Sequence, residues 1–168
     1  MKRGAPVLIL LALCLPLLGS GKRSDGVLVS FHAEGKKEEW PKFAQAVKMS
    51  DGKQYYFRIM PVVTDANVAW YYPFIAPDKT FGVAFKLDSR GTNALTTYTS
   101  SPENHGQLLA AVVHPISQQT GGVRSYLQID KRVTDGIIVI WSGLTDKHLR
   151  VFSARYPHVR DLMGDADQ

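Results

Sequence analysis

The apolar run Val7 to Leu18 constrains this chain more than any other stretch, because it removes the first 21 residues from the globular part. Lys2 and Arg3 precede the run and Gly19-Ser20-Gly21 follow it, the order of a secretory signal: positive start, apolar centre, small-residue cleavage end. A bilayer-spanning helix needs about 20 apolar residues and this run has about 12, so a cleaved signal fits better than an anchor. Gly19 and Gly21 stand three and one residues before the expected cut, which places the new N-terminus at Lys22. Cys14, the single cysteine, lies inside the run and raises the alternative of a lipoprotein signal; bulky Leu13 directly before it fits lipidation poorly. When Cys14 leaves with the signal, the mature domain has neither a disulfide nor a thiolate ligand and depends on its core alone.

A mature chain of roughly 147 residues buries about two thirds of the surface its unfolded form exposes, enough for one self-sufficient core. One domain is therefore expected over residues 22–160, with a polar tail over 161–168. The formal net charge of +5 includes Lys2 and Arg3, and the remaining basic residues are spread along the chain in short groups such as Lys36-Lys37 and Lys131-Arg132. That distribution gives a mildly basic surface and no nucleic-acid footprint.

Val27, Val29 and Phe31 alternate with Leu28, Ser30 and His32, the pattern of a half-buried strand. Phe43, Gln45, Val47 and Met49 face Tyr55, Phe57 and Ile59 across Ser50-Asp51-Gly52-Lys53, where Asp-Gly supplies the backbone angles of a tight hairpin turn. Met60-Pro61 ends the hairpin. Thr64-Asp65 reads as the cap of a short helix over 65–71 that Pro73 closes. Phe81 to Leu87 alternates as a strand, and Asp88 or Ser89 caps a helix to about Thr99 with Leu95, Tyr98 and Thr99 on one face. Leu108 to Val113 is continuously apolar, as a strand buried on both faces is. Strands near 123–129 and 137–141 follow, and Thr145-Asp146 caps a helix to about Arg155 with Leu149 and Phe152 inward. The order implies an α+β fold, a mixed sheet with two or three helices on one face.

Motifs for chemistry are missing. His32, His105, His114, His148 and His158 form no i, i+4 pair and no H-E-x-x-H, so zinc lacks its local spacing. Ser142-Gly143 is no nucleophile elbow, and neither a phosphate-cradling nor a dinucleotide-binding glycine loop occurs. Asp130 and Asp135 around Lys131-Arg132 read as turn and ion-pair residues. No catalytic residue, cofactor or metal is expected. The feature that stands out is the aromatic cluster Trp70, Tyr71, Tyr72 and Phe74, which either packs a short helix on the sheet or forms a partner-binding patch, since large rigid aromatics desolvate a contact at low entropic cost.

From Phe57 to about Tyr156 the chain resembles the periplasmic region of SecD, a subunit of the bacterial protein-export translocase. The resemblance lies in Pro61-x-x-Thr64, Gly82-Val83-Ala84-Phe85-Lys86-Leu87-Asp88 with Gly91 and Leu95, Thr99 and Gly106 before Leu108 to Val113, and Val133-Thr134-Asp135-Gly136 running through Ile137-Ile138-Val139-Ile140-Trp141 to Thr145. It implies the ferredoxin-like α+β fold of that region. SecD-family proteins couple export to the proton gradient through membrane helices with ionisable residues, and no second apolar segment of that length follows the signal here; the stretch His114 to Gly122 also departs from the family pattern. The resemblance therefore implies a free-standing exported domain, bacterial and periplasmic, that binds envelope polypeptides or proteins without catalysing a reaction. A small hydrolase with a site assembled from distant residues, or a surface-assembly protein, are the alternatives.

Overall fold

The computed structural model describes residues 27–49, 51–115 and 122–162. The expected signal, the departure from the SecD pattern at 116–121 and the tail from residue 163 onward lie outside the described residues. Among the described residues there are nine strands: β1 (Val27–Ala33), β2 (Ala44–Lys48), β3 (Gln54–Arg58), β4 (Val63–Thr64), β5 (Val68–Ile75), β6 (Phe81–Leu87), β7 (Leu108–Pro115), β8 (Gly122–Gln128) and β9 (Ile137–Leu144). The helices are α1 (Ser89–Ser100), α2 (Asp146–Arg155) and the single turn α3 (Val159–Leu162). Strand order is β4-β1-β7-β8 in one sheet and β5-β6-β9 in a second, with β2-β3 as a separate hairpin, and every pairing is antiparallel. The architecture is α+β, as the order of signals implies, but antiparallel sheets stand where one mixed sheet is expected, since no strand pair here is joined by a parallel crossover.

Period-two alternation places the core. Val29, Phe31 and Ala33 of β1, Val83, Phe85 and Leu87 of β6, and Ile138 and Ile140 of β9 point the same way and are buried. Phe85 is the hub: its ring meets Phe31 edge-on with centroids 6.3 Å apart, Phe152 of α2 at 5.4 Å and Tyr156 at 6.1 Å. Truncating such a buried ring costs about 3–5 kcal/mol. In β7, Leu109, Ala110, Ala111 and Val113 are buried in near succession, the two-faced burial that the continuous apolar run implies. The far face of β7 and β8 is covered by the hairpin, where Phe57 stacks on Tyr126 at 5.7 Å. That hairpin has the expected register, Gln45 opposite Phe57 and Val47 opposite Tyr55, and Gly52 takes φ +80° in its turn.

Both main helices begin where the sequence offers a cap. The Asp88 carboxylate accepts from the Gly91 N–H at 2.6 Å, and Leu95 and Thr99 are the buried face of α1. Gly91 stands where helix and turn come closest: a Cβ there would sit 2.7 Å from the Asn67 Cβ, so this approach requires glycine. Thr145 and His148 form the capping box of α2, and Phe152 is its buried anchor.

The expected helix over 65–71 is corrected. The cap is real, since the Asn67 side chain reaches back to the Thr64 backbone, but it opens only one 3-10 turn, Asp65–Asn67. From Val68 onward the chain is strand β5, in register with β6 from Tyr71 opposite Phe85 to Ile75 opposite Phe81. β-Branched and aromatic side chains fit a pleated, half-buried surface better than a helix. Pro73 is tolerated because β5 is an edge strand, where a missing N–H costs no ladder bond.

Candidate functional site

Strand geometry splits the aromatic cluster between two faces. Tyr71 is 4% exposed and turned into the core, against Phe152 at 6.4 Å and the His158 ring at 5.3 Å. Trp70, Tyr72 and Phe74 alternate to the opposite face from Phe85, and Tyr72 is 43% exposed although the rim of its ring reaches His158, with centroids 6.2 Å apart.

The register assembles that outer face in three rows across β5, β6 and β9. Trp70 pairs with Lys86 and Lys86 with Ile137; Tyr72 pairs with Ala84 and Ala84 with Val139; Phe74 pairs with Gly82, beyond which stands Trp141. Tyr72 and Trp141 are exposed, as is Ile137. The central strand contributes small residues, so the flanking aromatics rise on either side of Gly82 and Ala84. Gly82 is obligatory there: a Cβ would lie 2.3 Å from the Phe74 ring and 2.5 Å from the Trp141 carbonyl oxygen. With the space left open, the Phe74 ring crosses the glycine and meets Trp141 edge-on at 6.2 Å.

The free edge of β5 is closed to an added strand over much of its length. The Tyr71 N–H donates to the Pro157 carbonyl at 3.1 Å, Tyr71 bridges to His158, and Pro73 has no N–H to offer. Strand addition at this edge is thereby disfavoured, and the face is the part of the sheet left accessible.

Electrostatics on this face are sparse. Among the described residues Lys86 is the cation on the three strands' outer face, and its ammonium donates to the Asp135 carbonyl. The Asp135 carboxylate accepts from the Ile137 N–H at 3.0 Å, a turn role of the kind expected for it. At the β5–β6 turn Asp78 accepts from the Thr80 hydroxyl at 2.6 Å and backbone at 3.0 Å, which holds its carboxyl below the usual range. The Thr80 hydroxyl also accepts from the Gly143 N–H at 2.7 Å and ties that turn to β9. Elsewhere, Arg155 pairs with Asp65, and Arg58 with Glu39 at 3.2 Å. Burial pushes the Tyr156 phenol well up, helped by the Asp65 carboxylate; Arg155, committed to Asp65, opposes this only partly. A phenol so placed does not exchange protons near neutral pH. Among the described residues no group of three or more His, Cys, Asp or Glu side chains could hold a metal ion. A cavity of about 170 Å³ between α1 and strands β7 to β9 has mainly hydrocarbon walls, from Leu95, Leu109, Leu127, Ile129 and Ile138. What the outer face offers chemically is aromatic and aliphatic contact area.

Trp141 was not part of the aromatic cluster legible in the sequence. It stands outside the core-facing set of β9, and its recruitment follows from register with Gly82. A glycine inside an otherwise alternating strand is the signal that marks such a close approach.

No family model matches the chain, and no curated protein matches it. Solved structures do. A structure of SecDF, a membrane component that enhances protein export, superposes with a TM-score of 0.51 at 17% identity over 76% of this chain and 61% of that one. The fold resembles the SecD periplasmic region. A crystal structure of SecDF in a super-membrane-facing form aligns at a TM-score of 0.49 and 19% identity, over 80% of this chain and 20% of that one. The chain thus spans less than two thirds of the SecDF chains it matches, and the likeness concerns fold. Among the described residues no helix is long and apolar enough to cross a membrane.

Proposed function

We propose that this protein is an exported, non-enzymatic binding domain of the bacterial cell envelope that takes segments of other polypeptides on the outer face of β5-β6-β9. One observation carries the reading. A sheet whose other face is fully used by the core presents Trp70, Tyr72, Phe74 and Trp141 around a floor of Gly82 and Ala84, with Tyr72 at 43% and Trp141 at 61% exposure. Exposed aromatic clusters of this kind mark contact sites, and few charges on the face suit apolar segments of varied sequence. The SecD-like fold supports an envelope setting by analogy, and Lys2 to Gly21 supports export. The closed edge of β5 favours a bound segment lying across the face.

The test is a binding titration with a reduced and alkylated, permanently unfolded polypeptide. Tyr72→Ala combined with Trp141→Ala is expected to lower affinity at least tenfold, about 1.4 kcal/mol, with the melting midpoint of the domain little changed. Undiminished binding by a folded double variant rules the face out. The address is tested separately by N-terminal sequencing of the protein recovered outside the cytoplasm: a start at Lys22 agrees with export and cleavage, and a retained Met1 contradicts them.

A further inference from the structure

The open end of the β2-β3 hairpin carries a second apolar group that owes nothing to the aromatic face. Trp40 is 55% exposed, Phe43 69%, Ile59 51% and Met60 82%. They are held together by backbone: the Ile59 N–H donates to the Phe43 carbonyl at 2.8 Å, and the Phe43 N–H to the Glu39 carbonyl at 2.8 Å. The Trp40 N–H closes the preceding turn on the Lys37 carbonyl at 3.1 Å. Beneath them Arg58 and Glu39 form an ion pair, and the His32 ring bonds the Arg58 carbonyl at 2.8 Å. The tip is therefore built on fixed backbone.

Its charge is one-sided. Exposed Lys36, Lys37 and Lys42 flank the apolar group; of the acids around it, Glu39 pairs with Arg58, the Glu34 carboxylate accepts from the Leu108 N–H, Glu103 acts on Arg58 from the far side, and Glu38 stands exposed beside the lysines. Tryptophan prefers the polar boundary of a bilayer, phenylalanine, isoleucine and methionine its acyl side, and lysines beside them reach the headgroups.

We infer that the open end of the hairpin, with Trp40, Phe43, Ile59 and Met60, docks this domain on the surface of an anionic lipid bilayer, with Lys36, Lys37 and Lys42 facing the phosphates. The apolar area supplies shallow insertion and the lysines supply selectivity for negative headgroups. Docking of this kind is reversible.

Co-sedimentation with phosphatidylcholine vesicles, with and without phosphatidylglycerol, tests this. Binding is expected with the anionic vesicles, to weaken with added salt, and to fall roughly fivefold for each of Lys37→Gln and Lys42→Gln. Phe43→Ser with Met60→Ser is expected to lower it on the order of tenfold or more. Trp141→Ser, on the other face, leaves it unchanged. The vesicle experiments use the exported form that starts at Lys22, because the basic, apolar segment before it would itself bind bilayers; the substituted side chains are exposed, so melting curves are expected to coincide. Vesicle binding that the Phe43 and Met60 substitutions do not alter overturns the inference. So does binding without dependence on phosphatidylglycerol, or a tip whose substitutions abolish only self-association measured without vesicles.

Discussion

Alanine at Tyr71 and at Tyr72 separates the two faces of β5 with one pair of neighbouring substitutions. Tyr71 is 4% exposed and touches Phe152 and His158, so Tyr71→Ala opens a cavity in the core. Aromatic-to-alanine changes at such sites cost about 3–5 kcal/mol. At about 4 °C per kcal/mol for a domain of this size, the melting midpoint falls by roughly 12–20 °C. Tyr72 points the other way, is 43% exposed and pairs across the strand with Ala84. Its loss removes cross-strand contact of about 0.5–1 kcal/mol, or roughly 2–4 °C. The assay is thermal unfolding followed by far-UV circular dichroism, with binding of the unfolded polypeptide measured on each variant below its transition. Tyr72→Ala is expected to bind weakly while melting near the parent; Tyr71→Ala is expected to melt early and, where folded, to bind. Equal midpoints for the two variants refute the assignment of faces, and with it the outer-face site.

Other expectations follow from single contacts. Gly82→Ala forces a methyl into the Phe74 ring and the Trp141 carbonyl, and overpacking of that kind costs about 1–3 kcal/mol; a parallel loss of polypeptide binding would register displacement of the aromatic pair. Tyr156→Phe removes a buried hydroxyl that has no well-formed hydrogen bond among the described residues, the nearby Arg155 being turned to Asp65, so the variant is expected to equal or exceed the parent in stability, by up to about 1 kcal/mol in chemical denaturation. Glu39 is held below its ordinary value by its hydrogen bond to Arg58, so this contribution is complete above the ordinary carboxylate pKa and is lost as pH falls through the lower folded-state value. Melting curves of Glu39→Gln should accordingly lack that part of the acid-side slope, and an unchanged slope argues against the pair.

Much of the fold was legible because local chemistry and tertiary use agree. Asp51-Gly52 set the hairpin, the alternation of Phe81 to Leu87 set β6, Asp88 and Thr145 opened the helices that they cap, and the apolar run of β7 had nowhere to go but the interior. The segment over 65–71 reads as a helix because its opening cap is real and the proline at 73 looks like a stop. What decides for strand is pairing with β6, a long-range interaction that no local signal carries. The candidate site suffered for the same reason: a helix would keep Trp70, Tyr71, Tyr72 and Phe74 near one another, whereas a strand sends Tyr71 to the core and gives its neighbours Trp141 as a companion. The exposed tip at Phe43 and Met60 was invisible for a related cause, since apolar residues at a strand end read as core until neighbours fail to cover them.

The outer-face account is tested most directly by site-specific photo-crosslinking to a permanently unfolded polypeptide. With the photoreactive group placed at Tyr72, at Val139 or at Trp141, crosslinks to the polypeptide are expected; from Arg150 on the exposed side of α2 they are not. Crosslinking that is equal from Arg150, or absent from all three outer-face positions, would contradict the claim that this protein binds polypeptides there.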